Sequence, residues 1–217
     1  MKTYKNLFNK LCSYKNLLQA FNEAKKGKTT LPYVIKFNKN LKENLLELKK
    51  ELEEGSYRPE KLTTFIIRDP KVRTISKSIF RDRIIHHAIV QIIEPIFEPI
   101  FIYDSYANRI GKGTVKALDR YNLFLRKVTK NGSSLHAGGG DVKNPDFIKG
   151  YVLKADIKKY FENVEQEILM GIIEKRIKDK KLISLIRLIT NNFDSKIKGK
   201  GMPLGNLTSQ FFANVYL

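Results

Sequence analysis

The sequence predicts an α+β fold that is rich in helix and carries one β-hairpin. Apolar residues recur at helical spacing in several separate segments, and two β-prone runs flank a turn-forming triplet. Helices interleave with few strands and no internal repeat is present, which is the order expected of α+β rather than of a doubly wound sheet.

Taken in chain order, Leu41, Leu45, Leu48 and Leu52 share one helical face and Gly55 supplies a stop, so residues 39–54 are predicted as a helix. Leu62–Arg68 and Val72–Ser76 flank Asp69-Pro70-Lys71 and read as a hairpin with arginines near its tip. From Ile79 to Ile93, residues Ile84, Ile85, Ala88, Ile89, Ile92 and Ile93 define a mostly buried helix that Glu94-Pro95 should end. Thr114 can cap a helix to about Val128, with Val115, Leu118, Tyr121, Leu125 and Val128 along one side. Residues 129–149, with three consecutive glycines, show no period and are expected to be a long mobile loop. Tyr151-Val-Leu-Lys-Ala155 is expected to be a strand that presents Asp156 at its end. Amphipathic helices follow over about 165–178 and 181–191, then a Gly-Met-Pro-Leu-Gly turn and a last helix from about Leu207. The apolar, uncapped ending Phe211–Leu217 suggests a piece of a longer protein.

The chain of 217 residues carries 41 Lys+Arg against 22 Asp+Glu, a net charge of +19, and the excess runs through every third of it. With 42% hydrophobic residues there is material for a core, which excludes a disordered basic tail. A folded surface this basic calls for a polyanion, and nucleic-acid phosphate is the expected partner; a ribosomal or membrane surface is the alternative. The lone Cys12 permits no internal disulfide and no cysteine metal cluster. No signal-like or membrane-spanning apolar run is found, so a cytoplasmic protein without membrane contact is expected.

Several motifs could carry chemistry. Asp156 suits a Mg²⁺ ligand meeting phosphate, but a helix cap or an ion pair with Lys158 or Lys159 explains it equally simply. Gly201–Gln210 is a glycine turn running into a helix whose backbone can approach a nucleotide, or else an ordinary cap at Asn206 or Thr208. Gly111-Lys-Gly-Thr114 lacks the spacing of a phosphate-binding loop. His86 and His87 are adjacent on a helix, about 100° apart, and are read as structural. His136, beside the triple glycine at 138–140, is read as part of the loop.

Taken together these segments resemble prokaryotic reverse transcriptases. Phe65-Ile-Ile-Arg68, Val72-Arg-Thr-Ile75, Phe80-Arg-Asp-Arg-Ile-Ile-His-His-Ala88, Glu94-Pro-Ile-Phe97, Ser105-Tyr-Ala-Asn-Arg-Ile-Gly-Lys-Gly-Thr114, Lys154-Ala-Asp-Ile-Lys-Lys-Tyr-Phe161 and Met202–Leu217 occur in the family's order. The likeness covers roughly residues 40–217 and is to group II intron and diversity-generating retroelement enzymes, the Ser105 and Leu204 segments lying nearer the latter. It implies a right-hand polymerase: an N-terminal extension over 1–38, fingers over 39–150 and a partial palm over 151–217.

The resemblance further implies RNA-directed DNA synthesis from dNTPs on template RNA, with a DNA or RNA primer. Asp156 and the Ile157 carbonyl would be metal ligands in a site for two Mg²⁺ ions, which activate the primer 3′-hydroxyl and stabilise the leaving pyrophosphate. Phe161 falls at the steric gate against the ribose 2′-hydroxyl. Arg68 and Arg73 would clamp the triphosphate, Arg73 having template-backbone contact as its other reading. Gly205, Ser209 and Gln210 match the segment that contacts the templating base pair. Leu204 stands where many relatives carry Gln, a change that accompanies error-prone copying. The family's Tyr-x-Asp-Asp segment is absent, since no two aspartates are adjacent in the chain. This piece alone is therefore expected to bind nucleic acid weakly and to polymerise nothing. An RNA-binding module of maturase type and a phage-defence relative remain as alternatives, and any accessory protein or oligomer is left open.

Overall fold

The computed structural model describes residues 2–128, 153–193, 195 and 197–217. They form two compact units, residues 1–101 with 159–217, and residues 102–158.

In the first unit, helices α1 (Phe8–Leu11) and α2 (Tyr14–Ala24) pack on α5 (Phe80–Phe97). The Ser13 hydroxyl accepts from the Asn16 amide and starts α2, which buries Leu17, Ala20, Phe21 and Ala24. Cys12 is buried too, which pushes its thiol up to about 12 and leaves it protonated and inert at neutral pH. The residues before α1 strap the far side of the unit. Tyr4 pairs with Ile177 as a parallel bridge, and the Phe8 amide donates to Asp179 at 2.8 Å.

The helix expected over 39–54 is α4 (Leu41–Glu54), preceded by a separate α3 (Pro32–Lys39) that ends at Asn40 with non-helical backbone. Leu45, Leu48 and Leu52 are buried, and Gly55 closes the helix in the left-handed region at φ 72°. The hairpin forms as expected, β1 (Thr63–Ile67) antiparallel to β2 (Arg73–Lys77), with Phe65 opposite Ile75 and Ile67 opposite Arg73.

Helix α5 does not stop at Glu94-Pro95; it continues to Phe97 and into a 3₁₀ turn at Glu98–Ile100. Pro95 costs roughly 3 kcal/mol by removing a backbone donor. Ile96 and Phe97 are buried just beyond it, with Phe97 edge-on to Phe211 at 5.9 Å, and burying each side chain is worth about 1.5–3 kcal/mol, which offsets the proline. At the other end of α5, the fully buried Asp82 accepts from the Tyr57 hydroxyl at 2.8 Å and the Glu60 amide at 2.9 Å. Burial pushes its carboxyl up, and these two donors pin the 55–60 connection to α5.

The unit is completed by α7 (Tyr160–Asn163), α8 (Gln166–Arg176), α9 (Lys180–Asn191, capped by Asp179) and α10 (Leu207–Tyr216). The second unit contains α6 (Thr114–Val128) and the irregular segments around it. The expected strand over 151–155 does not appear at Leu153–Ala155, where the backbone is irregular and Leu153 is 93% exposed. A strand needs a hydrogen-bonded neighbour, and the two-stranded hairpin is the only sheet among the described residues. The rest of that strand and the loop expected over 129–149 lie outside the described residues. No described helix is long and apolar enough to cross a membrane.

Candidate nucleotide and nucleic-acid interface

The Gly201–Asn206 turn joins three parts of the first unit. At its start, the Gly201 amide donates to the Val164 carbonyl at 2.7 Å and the Met202 amide to the Phe161 carbonyl at 2.8 Å. At its end, the Leu204 carbonyl accepts from the Ser76 amide at 2.8 Å, and Asn206 accepts from the Ser78 amide at 2.9 Å. Asn206 precedes α10, but its side chain is committed to the hairpin's exit and does not cap the helix. Phe161, the turn and β2 are thereby held together through backbone hydrogen bonds.

Gly205 is where the turn touches the hairpin. Its φ is +124°, and a Cβ there would lie 2.7 Å from Ile75 Cγ2 and 3.4 Å from the Ser76 carbonyl oxygen. Only glycine accepts both the backbone angle and the contact.

Below Gly205, His86 is wholly buried and uses both ring nitrogens, Nε2 with the Ser78 hydroxyl at 2.9 Å and Nδ1 with the Thr208 hydroxyl at 2.7 Å. Burial holds the ring neutral, its pKa pushed down to about 3, with His87 and Arg83 adding repulsion. The imidazole therefore pins the hairpin's exit and α10 to α5. Between pH 6.5 and 3 the unfolded chain binds a proton that the folded chain refuses, so stability falls as the pH drops through that window and is unaffected above it. Urea unfolding at pH 7 and pH 4.5 is expected to show wild type losing about 2–3 kcal/mol more than His86→Gln.

Around these contacts opens a cleft of about 440 Å³, lined by Phe65, Ile75, Lys77, Arg83, Gly205 and Gln210 among others. Its charged lining residues, Lys28, Lys77 and Arg83, are all cationic, and Tyr33 and Phe65 add aromatic faces. Register places Arg73 on the same hairpin face as Phe65 and Ile75, two pairs further toward the tip. Arg68 follows β1 directly; both arginines are exposed, and neither pairs with a carboxylate among the described residues. Leu204 is half-buried, Ser209 is buried at 3% exposure, and Gln210 is half-buried at the cleft.

The structure thus gathers Arg73, Leu204, Gly205, Gln210 and, through the turn, Phe161 in one unit. Asp156 and Ile157 belong to the second unit, both exposed. Among the described residues no group of three carboxylate, histidine or cysteine side chains could hold a metal. One carboxylate and one backbone carbonyl fall short of the roughly six oxygens each Mg²⁺ takes, so these donors do not by themselves fit a two-ion site.

Comparison with known proteins agrees with the resemblance. The chain is 27% identical over 183 residues to the group II intron-encoded protein LtrA of Lactococcus lactis subsp. cremoris, covering 81% of this chain and 27% of that protein. The chain is similar to group II intron-encoded proteins, as the resemblance to prokaryotic reverse transcriptases implies. The chain is also 26% identical over 132 residues to the mitochondrial nuclear intron maturase 1 of Arabidopsis thaliana, covering 58% of this chain and 15% of that one. A chain of the partial Cas6-RT-Cas1–Cas2 complex superimposes with a TM-score of 0.60 at 19% identity, covering 96% of this chain and 33% of that chain. No family model matches. The chain spans about a quarter of the length of LtrA.

Sequence reasoning left His86 and His87 as structural without finding the Ser78 and Thr208 partners. The signal available was a histidine inside the otherwise apolar run of α5.

Proposed function

We propose that this chain is the nucleotide- and template-holding part of an RNA-directed DNA polymerase, a reverse transcriptase whose remaining parts lie in the longer protein. The observation that carries it is the Gly201–Asn206 turn, which ties Phe161 to a hairpin whose Arg73 face overlooks a basic, aromatic cleft. In this reading the hairpin belongs to the fingers, and residues 151–217 to the palm.

Arg73 and Arg68 hold the triphosphate of the incoming dNTP, since guanidinium forks match phosphate oxygens in pairs. Phe161 fills the space a ribose 2′-hydroxyl would need. Gly205 and Gln210 present backbone and amide to the templating base pair, and the buried Ser209 acts by seating α10. Asp156 contributes one carboxylate, and Ile157 its carbonyl, toward Mg²⁺, with further carboxylates supplied by the rest of the protein. Leu204 offers no hydrogen bond beside the pair. Leu204→Gln in the complete enzyme is expected to lower misincorporation severalfold in a single-nucleotide extension assay, and unchanged fidelity would refute that role.

The direct test of the clamp is steady-state primer extension by the complete protein carrying Arg73→Ala. The expected result is a KM for dNTP about tenfold higher with RNA affinity within twofold of wild type. A fall in RNA affinity with unchanged KM would make Arg73 a template-backbone contact.

A second reading, an RNA-holding module of maturase type, is favoured by the similarity to the intron maturase. It predicts a complete protein that binds intron RNA and extends no primer.

A further inference from the structure

The second unit presents a surface that the proposed nucleotide site does not use. Its loop over 102–113 and the cationic side of α6 interleave aromatic rings with cations. Lys112 Nζ lies 4.1 Å from the Tyr103 ring centre and 5.0 Å from that of Tyr106. The Arg120 guanidinium lies 5.1 Å from Tyr103 and 4.4 Å from Phe124.

These groups are held in place. Arg120 makes two hydrogen bonds to Asp104, at 2.8 and 3.3 Å, and Tyr106 donates to the same carboxylate at 2.9 Å. Arg120 and Tyr106 together hold that carboxyl below its usual range. Lys112 donates to the Tyr103 carbonyl at 2.7 Å. A cluster that served only to staple the loop would bury its rings, yet Tyr103 is 70% exposed and Phe124 44%. The described part of the unit carries eight Lys and Arg against three Asp. Exposed rings at fixed positions among cations are the two components with which proteins take unpaired nucleotides, bases on rings and phosphates on cations.

We infer that Tyr103, Tyr106, Lys112 and Arg120 form a platform for single-stranded RNA on the second unit, separate from the cleft of the first. The inference rests on the proposed reading of the chain as part of an RNA-copying enzyme. Tyr103 offers the exposed stacking face and the half-buried Tyr106 flanks it, Lys112 and Arg120 contact phosphate, and Asp104 keeps Arg120 in register. Ring stacking and phosphate contacts carry no base identity, so sequence preference is expected to be weak.

The test uses the 217-residue chain and a fluorescein-labelled 20-nucleotide oligouridylate, with affinity read by anisotropy across a salt series. Tyr103→Ala is expected to weaken binding roughly tenfold and Tyr103→Phe to leave it within twofold. Lys112→Ala is expected to flatten the plot of log affinity against log salt by about 0.7. A 4-thiouridine version of the same RNA, irradiated with the wild-type chain, should crosslink to a peptide containing Tyr103 or Tyr106, a readout that needs no substitution. Unchanged affinity in Tyr103→Ala and Lys112→Ala, with crosslinks confined to the cleft residues of the first unit, would overturn the platform and leave the proposed function standing. No RNA binding by the wild-type chain even at low salt would overturn both.

Discussion

Replacing Asp156 with Asn in the complete protein is expected to abolish RNA-templated primer extension, by roughly a thousandfold or more, while RNA affinity changes less than twofold. The amide keeps the shape of the side chain and removes the charge that a hard divalent cation requires of its ligand. Several kcal/mol of lost transition-state stabilisation corresponds to that factor. Asp156 is exposed and packs in no core, so a folding defect does not compete as an explanation. Equal melting curves and equal RNA binding for the two proteins are the controls. Extension surviving at more than a tenth of the wild-type rate would remove Asp156 from the proposed metal site.

The second large effect is expected at Gly205. Gly205→Ala places a methyl carbon 2.7 Å from Ile75 Cγ2 on a backbone at φ +124°, so it combines a steric clash with a strained dihedral. Together they are expected to cost about 2–4 kcal/mol in urea unfolding. The same change should reduce extension strongly, because Ile75 and with it β2 must shift away from the turn to relieve the clash. The two causes separate in a double-mutant cycle. Ile75→Ala removes the clashing Cγ2 and should restore part of the stability, leaving the dihedral strain behind. A loss below about 0.5 kcal/mol for Gly205→Ala would mean that the turn and hairpin are not packed as described.

Much of the fold could be read from local signals. The Leu41, Leu45, Leu48, Leu52 spacing with Gly55 behind it led to α4, and Asp69-Pro70 between two β-prone runs led to the hairpin. The start of α10 at Leu207 followed from the glycine turn before it. What failed had non-local causes. Pro95 is a correct local stop signal, overridden by Phe97 packing on Phe211, more than a hundred residues away in sequence. Tyr151–Ala155 has strand composition, yet its described part lacks a neighbouring strand. The N-terminal extension expected over residues 1–38 carries α2, whose Leu17, Ala20 and Phe21 place it in the core against α5.

The site was legible in a similar, partial way. The glycines and amides of Gly201–Gln210 were recognisable as a turn entering a helix. Nothing local indicated that Leu204 and Asn206 would bind the edge of β2, or that Thr208 would meet His86. Those contacts span more than 120 residues and convert separate motifs into one surface.

The most direct test of the central claim is nucleotide selection by the complete protein on an RNA template. Wild type is expected to extend a primer with dNTPs and to refuse NTPs, and Phe161→Ala is expected to accept both, with its dNTP rate lowered less than tenfold. A wild-type protein that binds the template tightly and extends with neither nucleotide would contradict the account and make the chain part of an RNA-holding module.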